Sequence, residues 1–128
     1  MDNKSRVKTR PLSPRLSIYR WRATMVASLA HRGSGVILVL FVPLYLWLLH
    51  GMTGGVENFE QVQVWLHSGL GKLSLWLAGV ALFYHFCNGI RFLSIDAGWF
   101  ESRGVMRYSA RMVIAATIVA AVVLGVML

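Results

Sequence analysis

Apolar residues dominate three stretches of the chain and leave them free of Asp, Glu, Lys and Arg. The first lies between Arg32 and Glu57, with its densest part from Val36 to Leu49. The second runs from Leu73 to Ile90, bounded by Lys72 and Arg91, and the third from Met112 to Leu128. A helix needs about 20 mainly apolar residues to cross a bilayer, and all three stretches can supply them. Three such helices in so short a chain would lack amphipathic partners to cover them in water. The pattern therefore predicts an all-α integral membrane protein: one membrane-anchor domain over residues 1–128, with three transmembrane helices near 27–50, 70–94 and 108–128. Gly51 to Gly55 (GMTGG) predicts a turn after the first span, and Asn58 to Ser68 a short interfacial helix. Pro43 is tolerated inside a membrane helix and is expected to kink it. Thr117, Ala121 and Gly125 recur at i+4 and predict a close-packing face on the third span.

Composition agrees and adds a direction. The chain has 128 residues, 56% hydrophobic and 14% charged, yet carries a net charge of +8 from 13 Lys and Arg against 5 Asp and Glu. Soluble domains are nearer 25% charged. Lys4, Arg6, Lys8, Arg10, Arg15, Arg20 and Arg22 precede the first span, and Arg91, Arg103, Arg107 and Arg111 lie around the second loop. The first loop carries Glu57 and Glu60, with Lys72 at its edge. By the positive-inside rule the N-terminus and second loop are expected to be cytoplasmic, the first loop and C-terminus external. Trp21 and Trp99 fall near the inner interface and Trp47, Trp65 and Trp76 near the outer one. The basic clusters read as topology signals, with no nucleic-acid role. The basic stretch leads into a span too long for a signal-peptide core, so a retained anchor is expected. The single cysteine, Cys87, excludes a disulfide framework, and a zinc site or iron–sulfur cluster held by this chain alone.

Polar residues inside the spans are costly and are functional candidates. Ser28, His31 and Arg32 stand at i, i+3 and i+4, on one side of a helix at the inner end of span one. Basic residues there either mark the interface by snorkelling or serve a site. His85 lies six residues inside Arg91, about 9 Å deeper along a helix. Ala78, Ala81 and Gly89 share its face. That space suits either a haem plane with His85 as axial ligand, or a second helix packed close with His85 hydrogen-bonded across the contact. If Arg32 and Arg91 mark one depth, His31 sits about 9 Å shallower than His85. That offset disfavours the two as ligands of one iron, and a second ligand would come from another chain. His31, Arg32 and Arg91 would then be placed to meet haem propionates. Asn88 could hydrogen-bond between helices. Asp96 is expected at the inner surface, solvated, paired with an arginine or on a proton route. No C-x-x-C-H occurs, which excludes covalent haem attachment.

Three motifs carry a family resemblance: Arg10 to Tyr19 (RPLSPRLSIY), Ser28 to Gly35 (SLAHRGSG), and His85 to Arg91 (HFCNGIR) with Asp96. The second is close to S-x-x-H-R-x-[ST]-G and the third to H-x-x-x-G-x-R-[HF]-L-x-x-D. In order, spacing and three-span layout the chain resembles, over essentially its whole length, the larger cytochrome b membrane-anchor subunit of succinate dehydrogenase (succinate:quinone oxidoreductase, respiratory complex II). The resemblance implies that His85 is the haem b axial ligand, opposite a ligand from the smaller anchor subunit. It implies a ubiquinone site at Ser28 and Arg32, with His31 and Arg32 near the propionates. Phe92 stands where many relatives have a second histidine, which leaves His85 as the deep candidate. Also implied are one shared haem b, an iron–sulfur subunit, a flavoprotein subunit and a second anchor as partners, and a multi-pass place in a bacterial inner membrane. The first motif implies that the basic N-terminus is mature sequence. The expected function is passage of electrons from the iron–sulfur subunit to ubiquinone, within a complex whose other chains oxidise succinate. Two other readings stay open: a haem-free docking scaffold and the anchor of a quinol:fumarate reductase.

Overall fold

The computed structural model describes residues 22–99 and 102–128. The motif from Arg10 to Tyr19, the basic residues before Arg22 and Trp21 lie outside them. Five helices follow in order: α1 (Ala23–Leu40), α2 (Val42–Thr53), α3 (Val56–His67), α4 (Gly69–Asp96) and α5 (Arg103–Met127). Among the described residues there is no strand. Three of the helices, Ala23–Leu40, Gly69–Asp96 and Arg103–Met127, are long and apolar enough to cross a membrane. The all-α, three-span expectation holds.

The first apolar stretch is divided. α1 ends at Leu40 and α2 begins at Val42, with only Phe41 between them. Pro43 stands in the first turn of α2. It has no N–H for the Val39 carbonyl, and its ring crowds that turn, so the interruption falls where the sequence places its kink. The Phe41 amide still reaches the Ile37 carbonyl at 3.0 Å, which carries the chain across the break.

The expected turn at Gly51 to Gly55 is narrower than the glycines suggest. Helix α2 continues to Thr53, and the chain reverses at Gly54 and Gly55, the latter with φ +104°. Gly51 serves a different purpose. A Cβ there would run into Val62 Cγ2, so the bare backbone is what lets α3 pack on α2. Val62 is buried as a result, and Trp47 meets Trp65 edge-on with ring centroids 5.5 Å apart. The helix expected over Asn58 to Ser68 forms as α3, and Ser68 caps the next helix by accepting from the Gly71 amide at 3.1 Å.

Helices α1, α4 and α5 pack together. Their contact buries Ala27, Ala78, Ala81, Tyr84, Asn88, Arg91 and Ala110. Polar groups tie the contact at both ends. Trp76 Nε1 donates to the Ala121 carbonyl at 2.7 Å, and Gly125 leaves room for its ring. The small-residue face of α5 thus packs as its spacing predicts. At the other end Arg91 Nε donates to Ser109 Oγ at 2.9 Å and Nη2 to the Met106 carbonyl at 3.0 Å. Most large apolar side chains, including Val36, Val39, Leu40, Ile118 and Val122, point outward and exposed. That is the surface of a chain whose solvent is lipid or another apolar protein.

A candidate haem and quinone site between α1 and α4

The site begins with the histidines. His85 on α4 and His31 on α1 stack face to face, with ring centroids 4.1 Å apart and planes 10° from parallel. The depth difference expected from the sequence is therefore absent. Its premise was that Arg32 and Arg91 mark one level. With His31 level with His85, the neighbouring Arg32 stands near that depth, and Arg91, six residues on along α4, lies about 9 Å further along the helix axis with its guanidinium turned into the α4–α5 contact. The stacked pair is nonetheless unsuited to clasp one iron. Axial ligands must aim their nitrogens at each other along the ring planes, and stacked rings present theirs side by side.

The small residues of α4 also find a simpler use. Ala78 and Ala81 are buried in the helix contact. The space beside Gly89 is taken by His31, whose Nε2 would lie 3.6 Å from a Cβ there. The flat object against this face is an imidazole of the neighbouring helix. The opening beside His85 comes from α1 instead. Gly35 is so close that a Cβ would sit 3.2 Å from His85 Cε1. Arg32, Gly35, Val36, Val39 and Leu40 line, with His85, an open groove of about 660 Å³.

Hydrogen bonding fixes the state of His85. Its Nδ1 lies 3.2 Å from the His31 carbonyl and 3.1 Å from Ser34 Oγ. A carbonyl only accepts, so Nδ1 carries the proton. The Ser34 hydroxyl donates to the same carbonyl at 2.8 Å and can accept from Nδ1. In the neutral ring Nε2 is then the nitrogen whose lone pair is available. Metal-bound histidines are held in this way, the second nitrogen donating to a carbonyl that sets tautomer and ring orientation. His31 Nε2 is buried with no hydrogen-bond partner among the described residues, a costly condition unless a missing group supplies one. If Nε2 carries the ring proton, an acidic group such as a haem propionate would satisfy it. The residues present fit a haem.

Other expected residues are placed as follows. Ser28 is half-buried, one turn before Arg32, and does not line the groove. Arg32 does, with its side chain exposed. Ser28, His31 and Arg32 divide their helix face: His31 enters the α1–α4 seam, and the other two flank it. Arg91 is spent on Ser109, Met106 and, through Nη1 at 3.4 Å, Asn88 Oδ1. Asn88 bonds between helices as expected, its amide donating to the Ala27 carbonyl at 3.2 Å. Asp96 and Trp99 are exposed beyond the end of the site. His50 and His67 are exposed, the latter with Nδ1 2.8 Å from the Gln63 carbonyl. Sequence reasoning gave no role to Ser34, Gly35 or Tyr84. Ser34 and Gly35 stood within the Ser28 to Gly35 motif, three and four residues after His31, and that spacing was the available signal.

A succinate dehydrogenase/fumarate reductase transmembrane subunit family model matches residues 6–124. The chain belongs to this family. It is 36% identical over 118 residues to a succinate dehydrogenase cytochrome b556 subunit of Coxiella burnetii, covering 91% of this chain and 94% of that one. It is 37% identical over 90 residues to the subunit of that name from Rickettsia felis, covering 70% of this chain and 69% of the relative. Against the mitochondrial cytochrome b560 subunit of Sus scrofa it is 36% identical over 98 residues, covering 75% of this chain and 58% of that longer protein. Among these relatives the resemblance read from the motifs is upheld: the chain is of the succinate dehydrogenase cytochrome b anchor type.

Proposed function

We propose that this chain is the haem b-carrying, quinone-binding anchor of a succinate dehydrogenase, passing electrons from an iron–sulfur subunit to ubiquinone. The fixed tautomer of His85 carries the reading, because it leaves Nε2 unprotonated on a helix beside an open apolar groove with a guanidinium at its mouth. A haem b held there supplies a reversible one-electron store. His85 would hold the iron through Nε2, with a second ligand supplied by another anchor subunit. The groove beside Gly35, Val36 and Val39 is the apolar wall for the porphyrin edge. His31 Nε2 and Arg32 would meet the propionates, the first as a buried ring nitrogen able to donate when protonated and the second as a charge. Arg91, committed to α5 in the free chain, is a secondary candidate for that task.

Ubiquinone reduction needs two electrons and two protons delivered to two carbonyl oxygens. Ser28 donates a hydrogen bond to one of them. Arg32 holds positive charge where negative charge develops, and its preorganisation lowers the barrier. Protons enter from water at the inner end of α1. Flavin and clusters reside on partner chains, so succinate is oxidised elsewhere in the complex. The N-terminus and second loop face the cytoplasm of a bacterial cell, and the spans near 27–50, 70–94 and 108–128 form one anchor domain in its inner membrane.

A reduced-minus-oxidised spectrum of the purified complex tests the haem directly. A b-type band is expected, and its absence would leave a docking scaffold. The family's description covers fumarate reductase as well, and comparing turnover with ubiquinone and with menaquinol separates the two directions.

A further inference from the structure

The inner end of α1 is held by a polar chain that reaches through α4 to α5. The Ala27 carbonyl accepts from Tyr84 Oη at 2.8 Å and from Asn88 Nδ2 at 3.2 Å. Ala27 and Asn88 are 0% exposed and Tyr84 is 7% exposed. Asn88 cannot turn its amide over, because Arg91 Nη1 donates to Oδ1 and so directs Nδ2 at α1. Arg91 is held in turn by Ser109 and the Met106 carbonyl of α5. The carbonyl so gripped belongs to the peptide that joins Ala27 to Ser28.

We propose that Asn88 is a positioning residue for quinone, acting through the Ala27–Ser28 peptide to set where Ser28 and Arg32 stand relative to His85. The proposal rests on the quinone reading of Ser28 and Arg32. Two separate grips fix α1 on α4. His85 and Ser34 hold the His31 carbonyl, and Asn88 with Tyr84 holds the Ala27 carbonyl one turn earlier. The first grip sets the histidine, and the second sets the hydroxyl and the guanidinium that follow it. Loss of the second alone lets the inner turn of α1 shift while His85 keeps its tautomer. Substrate positioning is sensitive to displacements of about 1 Å.

The test uses the intact complex with Asn88→Asp and Tyr84→Phe. The aspartate keeps the side chain's shape and its contact with Arg91 but has no amide donor. Phenylalanine removes one donor with little change in volume. Asn88→Asp is expected to raise the ubiquinone KM about tenfold, on the scale of one buried hydrogen bond, and Tyr84→Phe to raise it less. Haem content, and electron transfer to an artificial acceptor served by the soluble subunits, should stay as in the parent. An unchanged KM in both variants overturns the proposal, as does an equal loss in every readout, which would mark a purely structural joint. If Asn88→Asp does not assemble, Tyr84→Phe decides by the same criteria. Ser28→Ala run alongside separates the two ideas. No effect of Ser28→Ala on quinone reduction overturns the quinone reading and the proposal with it. A raised KM in Ser28→Ala with none in the other two overturns the positioning role alone.

Discussion

In the proposed function a single imidazole, His85, carries the haem, and its surroundings give each substitution a distinct expected outcome. His85→Ala removes the unprotonated nitrogen while the three apolar helices remain, so haem content should fall to near zero with membrane insertion preserved. A haem spectrum and a membrane-fraction blot of the same preparation check this. Gly35→Ala is subtler. Its methyl would stand 3.2 Å from His85 Cε1 and press the ring over by a few tenths of an ångström. Haem should be retained with its midpoint potential shifted by tens of millivolts in a redox titration. Ser28→Ala should lower kcat/KM for ubiquinone about fivefold to thirtyfold, and Arg32→Leu about a hundredfold, since one removes a hydrogen bond and the other a preorganised charge. Turnover with the artificial acceptor should not change in either. His85 was legible from sequence because an ionisable residue deep in an apolar run has few structural reasons to exist. Ser34 and Gly35 were not. Their importance depends on which side of α1 meets α4, and the pattern of apolar residues does not record that.

Helices supply the frame, and glycine and tryptophan set how near they come. Gly51→Ala would drive a methyl into Val62. It should cost about 1–3 kcal/mol of stability, the usual penalty for overpacking. Adding Val62→Ala should restore part of it, and a double-mutant cycle on thermal stability reads the coupling. Trp76→Phe removes the bond to the Ala121 carbonyl. Its loss should be about 0.6 kcal/mol, the average for a hydrogen bond between membrane helices. The long helices were legible because charge-free runs of membrane length have one economical explanation. What the charge pattern does not show is that Arg91 is buried within the protein. Ser109 and the Met106 carbonyl, far along the chain, provide partners that let a guanidinium stay buried. Such partners become visible only when α5 is laid against α4.

For the molecule as a whole, the three apolar spans and the apolar exterior could be read from the sequence, while the division of the first stretch into two helices could not. The orientation proposed from the charge pattern can be checked by cysteine labelling of the α2–α3 turn and of residues near Arg103 in intact cells. Labelling of both from one side would overturn the orientation. The interruption at Phe41 has a consequence for heredity. Before it, α1 answers to α4 and its histidine; after it, α2 packs chiefly on α3. A chimera in which residues 42–67 are replaced by the matching stretch of the Coxiella burnetii relative should keep this protein's haem spectrum and quinone KM, and melt at a different temperature. Redox behaviour and durability are then inherited through separate stretches of the same gene, and either can drift while the other is held.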